Sequence, residues 1–256
     1  MKYMGQKRYH YREIDSTNQE AARLADVGCP HGTVVIANKQ TAGRGRRGRQ
    51  WCSDSDTGLW CSIVLKPEIP IEAVSPLTLV AALAVKSAIE KVADIFPKIK
   101  WPNDLVLSGK KVCGILTEMK LEQGKMAYVV VGIGINVKQQ KFPEELSGIA
   151  TCLEQEGKTE SVRNLSISEL LEAVLEYFEY DYEQYTKTMD LTLLLSEYEE
   201  SLVNKGEQVK VLDPLGYYTG IARGINEKGE LLVECQGELR KVNSGEVSVR
   251  GIYGYV

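Results

Sequence analysis

Histidine is nearly absent: 256 residues hold two, His10 and His31. That scarcity speaks against Ser-His or Cys-His nucleophilic catalysis and against histidine-built metal centres. Six cysteines stand at 29, 52, 61, 113, 152 and 235 with no C-x-x-C pair. Zinc sites and disulfide frameworks both expect tighter spacing, so the thiols read as scattered, reduced and mostly buried. No apolar run approaches the ~20 residues that span a bilayer. The start, Met1-Lys2-Tyr3-Met4-Gly5-Gln6-Lys7-Arg8, lacks the apolar core of a signal peptide. A cytoplasmic protein is expected. A basic excess is missing too: 31 Lys+Arg against 35 Asp+Glu give a net charge of −4, which opposes a broad nucleic-acid footprint.

What is present is ordinary in bulk and unusual at one spot. The 43% hydrophobic and 26% charged content is that of a globular protein, long enough for one large domain or a large and a small one. Gly43-Arg44-Gly45-Arg46-Arg47-Gly48-Arg49 packs four arginines and three glycines into seven residues. Glycines let a backbone approach a ligand closely, and arginines offer permanently charged forks that match phosphate and carboxylate. The spacing also satisfies G-x-G-x-x-G, and a strand-like run, Thr33 to Ala37, precedes it. No helix follows, only the β-rich run Leu59 to Leu65, so a dinucleotide fold is rejected. An ordered anion-binding loop between two strands is expected.

Along the chain, a short strand near 9–14 leads into a helix opening at Asp15-Ser16-Thr17-Asn18, with Thr17 and Glu20 as a capping box and Gly28 as its stop. Strands are expected near 33–38 and 58–66. Ser75-Pro76 reads as N-cap and first turn of a long apolar helix to about Asp94. Strands recur near 98–101, 105–107, 111–119 and 126–135, the last two joined by a hairpin at Gln123-Gly124. The polar segment 138–158 is irregular, and helices follow at about 168–187 and 190–203. Beyond Asn204-Lys205-Gly206 come short β segments separated by Asp213-Pro214, by Asn226 and Gly229, and by Gln236-Gly237, the texture of a small barrel. The fold class is therefore α+β: a mixed sheet with packed helices over 1–203, then a β-barrel over 204–256.

Five peptides occur in order: Asp15-Ser16-Thr17-Asn18, the stretch Gln40 to Trp51, Lys100-Trp101-Pro102-Asn103-Asp104, Lys111-Val112-Cys113-Gly114-Ile115-Leu116 and Gly132-Ile133-Gly134-Ile135-Asn136. The set closely resembles the biotin–protein ligases, and the resemblance covers nearly the whole chain, the C-terminal SH3-like barrel included. It implies activation of biotin by ATP, assisted by Mg²⁺, to biotinyl-5′-adenylate. Transfer to one lysine of a biotin carboxyl carrier protein would follow. It implies no tightly bound prosthetic group.

The resemblance also assigns roles. Ser16, Thr17, Asn18 and Gln40 carry over to the biotin pocket, where they suit the neutral ureido ring; in isolation Ser16 or Thr17 would be a helix cap. Gly43, Arg44 and Gly45 contact biotin, Arg46 reaches carboxylate and phosphate, and Trp51 packs on the valeryl tail, although an aromatic after a loop is more often core. Lys111 is the central catalytic residue with Arg46, because an ammonium between biotin carboxylate and α-phosphate offsets charge that builds in the transition state. Lys110, on the opposite strand face, is the ordinary solvated lysine. Gly114 and Leu116 line the pocket, and Cys113 packs. On the nucleotide side stand Arg46, Arg47, Asn103, Asp104, Lys111 and Asn136; Asn103-Asp104 alone would read as a turn. No residue is assigned to the metal.

Two departures stand out. The first motif begins at residue 15, leaving no length for the helix-turn-helix that some members carry, so no DNA partner is expected. The adenine-covering segment, 138–152, holds no tryptophan. A homodimer through sheet edges is in keeping with the family. The alternatives are a lipoate or octanoate ligase or transferase of the same superfamily, whose members lack the full arginine–glycine run, and, more remotely, a nucleic-acid-binding regulator.

Overall fold

Alternation with period two builds the central sheet. In a computed structural model, which describes residues 1–256 except 54, 158, 214–215, 245–247, 252–254 and 256, seven strands form the larger sheet. They are β1 (Arg8–Tyr11), β2 (Thr33–Ala37), β3 (Gly58–Leu65), β4 (Lys98–Lys100), β5 (Asp104–Leu107), β6 (Lys110–Glu122) and β7 (Lys125–Asn136), ordered β1-β2-β3-β7-β6-β5-β4. The β1–β2 pair is parallel and all others antiparallel. Gln123 and Gly124 both take positive φ, 52° and 76°, so the β6–β7 hairpin turns where expected.

On β7, Val129, Val131, Ile133 and Ile135 enter the main core, while Tyr128 and Val130 join a smaller cluster with Ala21 and Ala25 on the other face. Helices cover both faces. α1 (Thr17–Asp26) lies on the smaller cluster, and α2 (Leu77–Ala93) fills the main core against the sheet. Further along come α3 (Leu153–Glu156), α4 (Glu160–Arg163), α5 (Ile167–Thr188) and α6 (Leu195–Ser201), with α5 packed on α2. Residues 71–93, contrary to the sequence expectation, do reach the length and apolar character of a membrane span. Here they form a short 3-10 turn (Ile71–Ala73) and the core helix α2, whose apolar surface meets sheet and α5.

The second sheet contains β8 (Gln208–Asp213), β9 (Gly216–Ile225), β10 (Leu231–Cys235), β11 (Glu238–Val242) and β12 (Ser248–Gly251), in the order β11-β10-β9-β8-β12 and antiparallel throughout. It is the small SH3-like unit. Trp101 Nε1 donates to the Gly229 carbonyl at 3.0 Å and the Ile225 N–H to Glu199 of α6 at 3.1 Å, tying it to the larger sheet and its helices.

Several local expectations shift. The N-cap of α2 is Pro76, without a side-chain capping bond, and the Ser75 hydroxyl pairs with that of Ser244 instead. α1 starts with Ser16 as N-cap and has no side-chain capping bond. The Thr17 hydroxyl donates to Gln40 instead, so the expected capping box does not form. The helix expected over 190–203 is confined to 195–201. β12 was not anticipated.

Candidate functional site

The site forms where the even-numbered face of the sheet runs out of side chain. Gly134 pairs with Gly114 across β7–β6 and with Trp60 across β7–β3; one step along, Gly132 pairs with Leu116 and Ser62. The strand sequence Gly132-Ile133-Gly134-Ile135 sends its isoleucines into the core and leaves a bare floor opposite. A Cβ on Gly132 would lie 2.0 Å from Asn18 Oδ1, and one on Gly134 2.7 Å from the Trp51 indole. These glycines mark close approach, which is what an isolated glycine inside a strand signals.

Buried hydroxyls and amides form the wall above that floor. Gln40 Oε1 accepts from the Thr17 N–H at 2.8 Å and the Thr17 hydroxyl at 3.1 Å, while Gln40 Nε2 donates to Ser53 Oγ at 2.9 Å. Ser62 Oγ donates to Asn18 Oδ1 at 2.6 Å and lies 2.8 Å from Thr17 Oγ1. Asn18 Nδ2 donates to Glu118 at 2.8 Å, and the other oxygen of Glu118 meets Arg44 at 3.0 Å. This connected network fixes rotamers before any ligand enters. Sequence reading missed Ser53, Ser62, Glu118, Gly132 and Gly134 as site residues; the Gly-x-Gly within a strand was the available signal.

The arginine loop closes over this pocket as a tight turn. Its Gly45 N–H donates to the Arg49 carbonyl at 2.8 Å and the Trp51 N–H to the Gly43 carbonyl at 3.0 Å. Gly43 is packed behind the loop, where a Cβ would lie 2.5 Å from Ser53 Oγ. Trp51 lies over Gly114 and Gly134 and meets Trp60 edge-on, with ring centroids 6.2 Å apart. Its buried Nε1 has no hydrogen-bond partner among the described residues. Arg46 turns inward and donates to Asn103 Oδ1 at 3.0 Å and to the Ser244 carbonyl. Burial pulls its pKa below the ordinary arginine value; Arg47 and Arg49 push the same way, and Asp104 opposes them.

Lys111 reaches the site because β6 is bulged. Leu105 pairs with Cys113 but Val106 with Lys111, so Val112 is the extra residue. Val112 and Cys113 both enter the core, and Lys111 is re-aimed onto the face of Gly114. Its ammonium pairs with Asp104 and lies 5.2 Å from the Trp51 ring centroid. Burial pushes the Cys113 thiol well above the usual range, so Cys113 packs as expected.

Two cavities meet here. The smaller, about 50 Å³, is lined by Ser16, Thr17, Asn18, Gln40, Arg44, Gly114 and Leu116 among others. The larger, about 500 Å³, is lined by Arg46, Arg47, Arg49, Lys100 and Lys111, with Asp104 as the one carboxylate among its described residues. Asn136 also faces it, held by the Thr151 carbonyl and Gln140, and Phe142, Leu146 and Ile149 form an apolar side. Gly45, Arg46, Trp51, Asn103 and Lys111 line both cavities and so mark their junction.

Comparison with known proteins agrees with this geometry. Residues 11–136 match the biotin/lipoate A/B protein ligase family, and residues 206–250 the biotin protein ligase C terminal domain. The bifunctional ligase/repressor BirA of Bacillus spizizenii is 40% identical over 248 residues, 96% of this chain and 75% of that protein. The chain belongs to the biotin protein ligase family. The biotin–[acetyl-CoA-carboxylase] ligase of Mycobacterium tuberculosis is 34% identical, with 93% of this chain and 89% of that protein aligned. A solved structure of the biotin protein ligase from Aquifex aeolicus in complex with biotin and ATP matches at a TM-score of 0.82 and 32% identity, covering 96% of this chain and 99% of that one.

Proposed function

We infer that this ligase activates biotin with ATP and transfers it to a lysine of a biotin carboxyl carrier domain. The observation that carries the reading is the junction of a small amide- and hydroxyl-lined cavity with a larger cationic one, at Lys111 and Arg46. In the first step a carboxylate oxygen of biotin attacks the α-phosphorus of ATP, the bond to the β-phosphate oxygen breaks, and pyrophosphate leaves. The attacking and receiving groups are both anionic. Lys111 and Arg46 offset their repulsion most where charge builds at phosphorus. In the second step the carrier ε-amine attacks the acyl carbon of the mixed anhydride and AMP departs.

Ser16, Thr17, Asn18 and Gln40 present the donors and acceptors for the ureido ring. Arg44, Gly45, Trp51, Gly114 and Leu116 enclose the rest of biotin; Gly43, expected to contact biotin, lines neither cavity and instead lets the loop pack on Ser53. Arg46, Arg47, Asn103, Asp104, Lys111 and Asn136 serve the nucleotide, with adenine against the apolar side formed by Phe142, Leu146 and Ile149. Mg²⁺ takes oxygen ligands and keeps several waters. Among the described residues no cluster of three metal-binding side chains exists, and both oxygens of Asp104 are already engaged, by Lys111 and by Tyr255, so the phosphates would carry the ion and no side chain is assigned to it. The ion supplies charge neutralisation on the triphosphate.

Four further points belong to this proposal: a domain boundary near 203/204, cytoplasmic location, dimerisation through sheet edges, and no sequence-specific DNA binding. The last is supported by Arg46, which turns inward onto Asn103 and the Ser244 carbonyl, and by the pairing of Arg44 with Glu118. The test is pyrophosphate release from ATP and Mg²⁺ with biotin or with lipoate. Biotin-dependent release supports the reading. Release with lipoate alone would replace it with the lipoate reading.

A further inference from the structure

We propose that Tyr255 is a positioning residue for adenylate formation, setting Lys111 through Asp104. This rests on the ligase reading and on the role given there to Lys111. Tyr255 lies beyond β12, in the last residues of the chain, yet its hydroxyl donates to Asp104 Oδ2, 151 residues away in sequence. The other oxygen, Oδ1, takes the ammonium of Lys111. Both oxygens of one carboxylate are thus engaged, one by a neutral donor from the second unit and one by the lysine at the cavity junction.

The consequence is orientational. A carboxylate held at one oxygen loses rotation about its terminal torsion, so the direction in which it presents the other oxygen is fixed. Lys111 then has one counterpart in one place. The floor fixes the rest of its position: a Cβ on Gly114 would lie 3.0 Å from the ammonium. Tyr255 is itself held. The ammonium of Lys100, a residue only 5% exposed, sits 3.5 Å from the Tyr255 ring centroid, the geometry of a cation–π contact. Tyr255 and Val249 also line the larger cavity, so the second unit completes the chamber in which adenylation is placed.

Without the Tyr255 hydroxyl, Asp104 is tethered only by the flexible side chain of Lys111. It can take Lys111 in a two-oxygen grip or turn toward Arg46, whose charge already senses Asp104. Either change moves the ammonium from the point where biotin carboxylate and α-phosphate converge. A displacement of about 1 Å near a reacting centre can cost on the order of a hundredfold in rate. Substrate binding is spread over many other groups and is not expected to follow.

The test is Tyr255→Phe, which removes the hydroxyl and keeps the ring beneath Lys100. Single-turnover pyrophosphate release with biotin is expected to slow by about tenfold to a hundredfold, with KM for biotin and for ATP within about twofold of the parent and an unchanged unfolding temperature. In a Lys111→Ala background the same substitution is expected to have no further effect, because the lysine it positions is gone. A parent-like rate in Tyr255→Phe overturns the proposal, and so does an equal loss in both backgrounds, which marks a merely structural tie. A parent protein that releases no pyrophosphate with biotin defeats the ligase reading itself, and this inference with it; an active parent beside an unaffected Tyr255→Phe defeats this inference alone.

Discussion

Replacing Lys111 with alanine should impair adenylate formation far more than biotin binding. The substitution removes one of five cationic side chains that line the larger cavity. It also leaves the Asp104 oxygen that it neutralised facing two incoming anions. Two unit charges 4 Å apart interact by about 4 kcal/mol at an effective dielectric of 20. Part of that is recovered by Arg46 and by water entering the vacated space. A net loss of ~3 kcal/mol in the transition state slows the step by about two orders of magnitude. Biotin alone brings one anion instead of two and would keep the contacts proposed for it with the Thr17–Gln40–Ser62 network, so its affinity should fall by no more than about fivefold. The assay is single-turnover pyrophosphate release under saturating biotin and ATP, with calorimetric titration of biotin beside it. Normal single-turnover adenylation in the variant would refute the role given to Lys111. So would a loss seen wholly in biotin affinity.

Arg46→Ala, by removing the inward-facing guanidinium of the loop, should speed escape of biotinyl-adenylate by about tenfold, read as faster loss of adenylate from gel-filtered enzyme; unchanged retention would remove Arg46 from the lid. Gly132→Ala places a methyl 2.0 Å from Asn18 Oδ1 and 2.8 Å from its Cγ, so the hydrogen-bonded Asn18 amide must give way; KM for biotin should rise by at least about tenfold, with a lowered unfolding temperature as the buried network is disturbed; parent-like KM would show that the glycine floor is not the biotin site. Asp181, 4% exposed on α5, has its pKa pushed up to about 7 by burial first and by Glu197, with Lys86 opposing. The folded state therefore holds a proton that the unfolded chain has released, so stability falls as pH rises from about 4 to 7 and levels off above. Asp181→Asn should remove ~2–4 kcal/mol of that decline in denaturant titrations across the window; an unchanged pH slope would contradict the assignment.

Much of the fold was readable because its signals are local. The hairpin at Gln123-Gly124, the stop at Gly28 and the long apolar helix all follow from residue types at fixed offsets. The site was readable in part for another reason: five ordered peptides resemble one family, and the structure brings most of their polar and charged residues around two adjoining cavities. What stayed hidden depends on register or on tertiary partners. Strict alternation would place Lys111 on the core face; the bulge at Val112 reverses that, and no propensity announces it. Thr17 and Glu20 form a sound capping box on paper, but Gln40, supplied by the chain after β2, takes the Thr17 hydroxyl. Ser62 looks like one polar residue in an apolar strand until its pairing with Gly132 shows which face it serves. Tyr255 reaches Asp104 from the far end of the chain, a contact that no local pattern encodes.

The most direct test of the account follows both half-reactions with one protein. The chain is incubated with ATP, Mg²⁺ and biotin, then mixed with a biotin carboxyl carrier domain, while pyrophosphate and the mass of the carrier are measured together. The account predicts stoichiometric pyrophosphate release before the carrier is added, followed by addition of one biotin to a single carrier lysine and none when that lysine is replaced by arginine. Pyrophosphate release that does not depend on biotin, or a carrier whose mass never changes, would contradict it.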